Sequence, residues 1–129
     1  MAVVVDKAYL QQSSDTLQDI VKAITEGMVF IANSKNKPAV IDTIIKQFKL
    51  NDSAAAESAY QDVLNLVRLE DYRKPYVSID GLRILQRLMK TQNPRIGDIK
   101  VESLVDSSVV KKIDESGFFE KLYAEYGVK

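Results

Sequence analysis

Leu17, Ile20, Val21, Ile24, Met28 and Ile31 recur at intervals of three and four residues, the spacing that gathers side chains on one face of a helix of about 3.6 residues per turn. In a strand, neighbouring side chains alternate between faces, so this pattern cannot form a half-buried strand. The feature predicts a long amphipathic helix, and the chain must supply further elements to cover its apolar face. Ser13, Ser14 and Asp15 mark its start, and Asp15 with Gln18 three residues on predicts a capping box.

The same rhythm continues downstream. Pro38 suits the first turn of a second helix, where its missing N–H is harmless, with Val40, Ile41, Ile44, Ile45 and Phe48 as its apolar stripe. Asn51-Asp52 closes that helix and starts a third from Ser53 to Leu69, with Ala56, Ala59, Tyr60, Val63, Leu64 and Val67 facing inward. Residues 70–77, with Pro75 and a run of charges, predict a loop. Leu82, Leu85, Leu88 and Met89 make a helical stripe, so Asp80-Gly81 is placed in a first helical turn capped by Ser78. Gln92 to Gly97 ends it. The tail predicts a short apolar turn at Leu104-Val105, a helix begun by Ser107 or Ser108, and a break at Gly117. A last helix follows, with the face Phe119, Leu122, Tyr123 and Tyr126, and Gly127 closes it.

Against this rhythm stands Val3-Val4-Val5, a β-branched run that predicts one short N-terminal strand. A lone strand leaves its backbone N–H and C=O groups without partners, which makes Val3, Val4 and Val5 the predicted strand-pairing surface of a homodimer. The fold expected is mainly α, five to six helices and this strand, in a single domain over residues 1–129.

Composition narrows the chemistry. Lysine plus arginine and aspartate plus glutamate each total 18, so no net charge suits the chain to nucleic acid or anionic membrane. With neither cysteine nor histidine, the usual zinc, iron and copper ligand sets are missing, and no cofactor or metal is expected. No apolar run suggests a secretory signal or a membrane span, so the sequence as written is expected to stay in the cytoplasm. Catalytic motifs are missing too, since the five glycines at 27, 81, 97, 117 and 127 are too dispersed to cradle a phosphate. The adjacent acids Glu70-Asp71 and Asp114-Glu115, and the basic cluster Lys35, Lys37, Lys46 and Lys49, read as solvated surface. Phe118, Phe119, Tyr123 and Tyr126 read as core. The expectation is a protein that is not an enzyme.

Two organisations fit such a chain. Ile-Asp recurs at 41, 79 and 113, intervals near the period of two-helix repeats, which keeps a helical-repeat adaptor or helical protein–protein interaction module as one reading. The other comes from the order of caps and breaks. The stretch from VVVDKAYLQQ onward gives a strand, a short helix over Asp6 to Gln11, a long helix entered by Ser14-Asp15-Thr16, and a helix opened by Asn36-Lys37-Pro38. At the far end, IGDIKVESLVDSSVVKKIDESGFFEKL gives a Val-Asp-Ser start and a helix ending in Ser-Gly-Phe.

In this order the chain resembles the C-terminal part of the substrate-binding proteins of ABC transporters of the nitrate, sulfonate, taurine and thiamine-pyrimidine-precursor type. The resemblance covers nearly the whole chain. It implies part of a two-lobed α/β periplasmic binding protein, in which one strand returns to the first lobe and helices follow. The function it implies for the whole is capture of a small anionic or heteroaromatic solute for import, in the periplasm or outside the cell, with the other lobes and an ABC permease as partners. The residues that would form the ligand cleft lie outside this resemblance, so solute binding by the chain alone is not expected.

Overall fold

A computed structural model describes residues 3–68 and 73–127 of the chain. Among the described residues, seven α-helices run in order: α1 (Lys7–Gln12), α2 (Ser14–Ala32), α3 (Lys37–Phe48), α4 (Ser53–Arg68), α5 (Ile79–Lys90), α6 (Ser108–Glu115) and α7 (Phe118–Tyr126). Short 3-10 turns occupy Ser34–Asn36, Pro94–Asp98 and Val101–Leu104. The mainly helical reading is correct, and α1 stands where the resemblance implies a short helix over Asp6 to Gln11.

The local chemistry explains most boundaries. Asp6 accepts a hydrogen bond from the Tyr9 N–H at 2.7 Å and starts α1. Pro38 lies in the first turn of α3. The Asp52 carboxylate accepts from the Ala54 N–H at 2.9 Å at the head of α4, and Ser78 Oγ accepts from the Gly81 N–H at 3.1 Å at the head of α5. Gly117 and Gly127 take left-handed backbone angles, φ 72° and 61°, so the chain can leave α6 and α7 there without a Cβ clash.

Four details differ from expectation. Among the described residues there is no strand, because no neighbouring backbone lies alongside Val3–Val5 to complete a ladder. The segment leads into α1 as irregular chain. The capping box does not close: α2 begins at Ser14, and the Gln18 amide N–H donates to the Asp15 carboxylate at 2.9 Å and to the Ser14 carbonyl at 3.4 Å, where a capping box would have the side chain accept a backbone N–H. Lys49, at φ 52°, ends α3 before Asn51 is reached. Phe48 is 72% exposed, whereas Ile41 and Ile44 earlier on α3 pack against Val40, Tyr60 and Leu64.

α2 is the spine. It packs against α4 on one side and against α6 and α7 on the other, so its two halves serve two cores. Leu17 and Val21 join Val109, Ile113 and Phe119, with Leu10, Val110 and Phe118 packed around them. Ile31, at the other end of α2, lies against Val40, Tyr60 and Leu64 of α3 and α4. Between them Thr25 is buried, its hydroxyl donating back to the Val21 carbonyl at 2.9 Å, which satisfies the one polar group on that face. Asn33 Nδ2 donates to the Tyr126 carbonyl at 3.2 Å and ties the end of α2 to α7.

Candidate functional site

Two places gather side chains that the helix cores do not absorb. The first is an ionic clamp on the segment entering α5. Lys74 Nζ lies 2.7 Å from Asp114 Oδ1 on α6 and 2.7 Å from Glu120 Oε1 on α7. The Tyr76 hydroxyl donates to Asp114 Oδ2 at 3.0 Å, and the Arg73 guanidinium lies over the Tyr123 ring, 5.7 Å from its centroid. Segment 73–76 is thereby fastened to the last two helices, and both α6 and α7 are held by one ammonium group.

The charges set the protonation states. Hydrogen bonding to Lys74 holds the Asp114 and Glu120 carboxyls below their ordinary values, and the two carboxylates, Asp114 foremost, push the Lys74 ammonium above its own. Partial burial, and then the Asp114 carboxylate beside it, raise the Tyr76 phenol. Depressed carboxyls stabilise the folded chain fully above their unfolded values, about 4, and that stabilisation disappears as pH falls through the lower folded values. The raised ammonium acts in the opposite sense, contributing fully below about 10 and fading as pH rises past its folded value. Lys74→Met is therefore expected to lower the melting temperature across the neutral range. The gap to the parent chain should narrow below about pH 4 and in high salt, as screened surface pairs do. A gap that stays constant across a pH and salt series of thermal melts would show that the clamp does not act through charge.

The second place is α5 with the turns that follow it. Gln86 reaches across with its side-chain amide and donates to the carbonyls of Ile96 at 2.8 Å and Ile99 at 2.7 Å. Arg83 bridges Asp80 at 2.9 Å and Glu102 at 2.6 Å. Gly97 lets the chain pass against the Lys90 stem, since a Cβ there would stand 2.8 Å from the Lys90 side-chain carbons. Residues 94–104 are thus strapped to the polar flank of α5, and α5 packs chiefly against them. Its opposite flank is left open, with Ile84, Leu85, Leu88 and Met89 exposed. A depression of about 520 Å³ lies along Asp80, Arg83, Ile84, Gln86 and Arg87, all from one helix, so among the described residues it is a surface groove with no facing wall.

The predicted site residues fall elsewhere. Val3, Val4 and Val5 are exposed, Val4 at 90%, and they lie apart in the sequence from both places just described. Of the basic cluster, Lys37 pairs with Glu57 at 2.7 Å and lies over the Tyr60 ring, and Lys46 pairs with Asp42 at 2.6 Å, so half of it is committed within the fold. Glu70 and Asp71 lie outside the described residues. Asp114 and Glu115 diverge as neighbours on a helix must, one to Lys74 and the other toward Lys111 at 3.8 Å. Phe119 is core and Phe118 packs edge-on to it at 5.8 Å. The Ile-Asp echoes occupy unlike stations: Ile41 is mid-helix in α3, Ile79 opens α5, and Ile113 is buried in α6.

Among the described residues, no group of three or more acidic side chains gathers as a metal site, and no helix is long and apolar enough to cross a membrane. Compared with protein-family models, curated proteins and solved structures, the chain matches none. The open face of α5 was invisible as such in the sequence. Its signal was a strong apolar stripe bounded on both sides by proline-containing segments, with no second stripe nearby to cover it.

Proposed function

We propose that this chain is the helical section of a substrate-binding protein of an ABC importer, of the nitrate, sulfonate, taurine and thiamine-precursor type, with a structural and not a catalytic role. The observation that carries this reading is the ordered series of boundaries on which the resemblance rests. Asp6 opens a short helix, Ser14 to Thr16 enter the long one, Pro38 lies in the first turn of the next, and Ser108 and Gly117 bracket the penultimate one. In such a protein the section completes the first lobe, while the solute, a small anion or heteroaromatic, is clamped between lobes. The groove on α5 has one wall, which suits a chain that contributes framework and leaves the solute to other parts. The partners on this reading are the remaining lobes and, through them, a permease. The place of action is that of the parent family, periplasmic or extracellular.

A graft tests it. A solute-binding protein of this type, produced without its own final helical section, is expected to recover solute-dependent thermal stabilisation when this chain is supplied, fused or in trans. Recovery with the native section but not with this chain in either form would overturn the reading. On its own the chain is expected to show no saturable rise in melting temperature with nitrate, sulfonates, bicarbonate or pyrimidines.

A second reading, a helical protein-interaction module, is favoured by one observation. Ile84, Leu85, Leu88 and Met89 leave an apolar stripe exposed along α5, and such patches often mark interaction sites.

A further inference from the structure

Residues 79–104, α5 and the two 3-10 turns strapped to it, pack chiefly on one another. Among the described residues, neither of the two cores built on α2 takes a side chain from this stretch, whose one buried apolar side chain is Val101. The bonds that shape it stay inside it, from Gln86 to the Ile96 and Ile99 carbonyls and from Arg83 to Glu102. Extended residues flank it, Ser78 at φ -73° and ψ 112° and Val105 at φ -109° and ψ 126°, so a single length of chain joins it to the other helices at each end.

What ties this stretch down is therefore mainly charge. Among the described residues, the side-chain hydrogen bonds and ion pairs that run from 73–104 to the other helices are those of Lys74 and Tyr76 with Asp114 and of Lys74 with Glu120. They lie just ahead of Ser78, where the chain enters α5. A region with little buried apolar surface opens at a lower free energy than the core of its domain, and a helix of 12 residues is marginal without tertiary packing.

We infer that residues 79–104 are a separately opening unit of the fold and that Lys74 is its latch. The unit opens while the α2 cores stay closed, and the hold of one ammonium on Asp114 of α6 and Glu120 of α7 sets how often it does so. Both carboxylates must be given up together, because they share the same nitrogen. The device answers to charge: a cation that competes for the two carboxylates, or an anion that competes for Lys74, releases the unit without disturbing either core.

Amide hydrogen exchange on the intact chain, read residue by residue by NMR, tests this. Amides within α5 are expected to exchange faster than those from Val21 to Val29 in α2. Lys74→Met is expected to speed exchange in α5 roughly two- to twentyfold, the range for losing two exposed ion pairs. Asp114→Asn combined with Glu120→Gln should act in the same direction, and Lys74→Met added to that pair should bring no further increase, since the partners are already gone.

Leu64→Ala separates local from global opening. Leu64 is 4% exposed in the core shared by α3 and α4, so its truncation should speed exchange in α2 by more than about tenfold. Opening of 79–104 leaves that core intact, so exchange in α5 should not change. If α5 instead accelerates together with α2 in Leu64→Ala, the chain opens as one unit and the inference fails. It fails equally if α5 exchange ignores Lys74→Met, or if Lys74→Met still accelerates it once both carboxylates are neutral. None of these outcomes depends on the importer reading, which the graft experiment tests separately.

Discussion

Phe119→Ala is expected to cost about 3–5 kcal/mol, the usual range for truncating a buried aromatic side chain. Phe119 is 1% exposed and sits where α7 meets α2 and α6, against Leu17, Val21, Val109 and Ile113. None of those partners can collapse into the gap without moving a helix, because Leu17 and Val21 belong to the spine and Val109 and Ile113 to α6. The cavity therefore persists, and the loss includes its cost as well as the lost transfer energy. For a domain whose whole stability lies in the range of about 5–15 kcal/mol, that is a large fraction. Phe48→Ala is the control. The same atoms are removed from a side chain that lies mostly in water, so the change should stay within about 0.5 kcal/mol. Urea unfolding of both variants, read as midpoint shifts at constant slope, checks the contrast. Equal effects would mean that Phe119 does not sit at the junction of three helices.

The contrast between these two phenylalanines also shows what a sequence can and cannot reveal here. Both lie on helical apolar stripes, and periodicity treats them alike. It reports which side of a helix is apolar, and not whether another element covers that side. α5 is the extreme case: its stripe is as regular as that of α2, yet α2 is enclosed by three helices while α5 keeps one flank open. The boundaries, by contrast, were legible because their causes are local. Ser78 needs only the Gly81 N–H three residues away, Pro38 only its own fixed φ, and Gly117 and Gly127 only their freedom to turn left-handed. Lys74 shows the opposite. Its partners lie 40 and more residues away, and a lysine in a charged loop carries no sign that two later helices will present carboxylates to it.

Val3–Val5 divides the same way. The strand propensity of three valines is real, but a strand's hydrogen bonds belong to its neighbour, which sequence cannot supply. Thr25 was missed for a related reason. A threonine on an apolar face looks like a defect until its hydroxyl finds the carbonyl four residues back on its own helix.

The last turn of α2 gives the last test. Val29 is fully buried, between the half of α2 that carries Leu17 and Val21 and the end that carries Ile31, so an acid placed there must ionise in an apolar setting or stay protonated. Burial can raise a carboxyl pKa by about 3–5, against an unfolded value near 3.9. With a folded value at or above 7, Val29→Asp at pH 7 is ionised only when unfolded, and the difference costs about 4 kcal/mol at roughly 1.4 kcal/mol per pH unit. Val29→Asn has nearly the same shape and no charge, so it carries the cost of burying a polar group without any titration. The sign follows from proton uptake. Between the two pKa values the folded form holds a proton that the unfolded form has released, so stability falls as pH rises. Relative to Val29→Asn, Val29→Asp is therefore expected to be about 4 kcal/mol less stable at pH 7 and to regain that difference steadily down to about pH 4. Both variants lose the Lys74 clamp equally in acid, so their difference isolates position 29. Urea unfolding of the pair at several pH values measures it, and a difference that does not change with pH would mean that water reaches position 29.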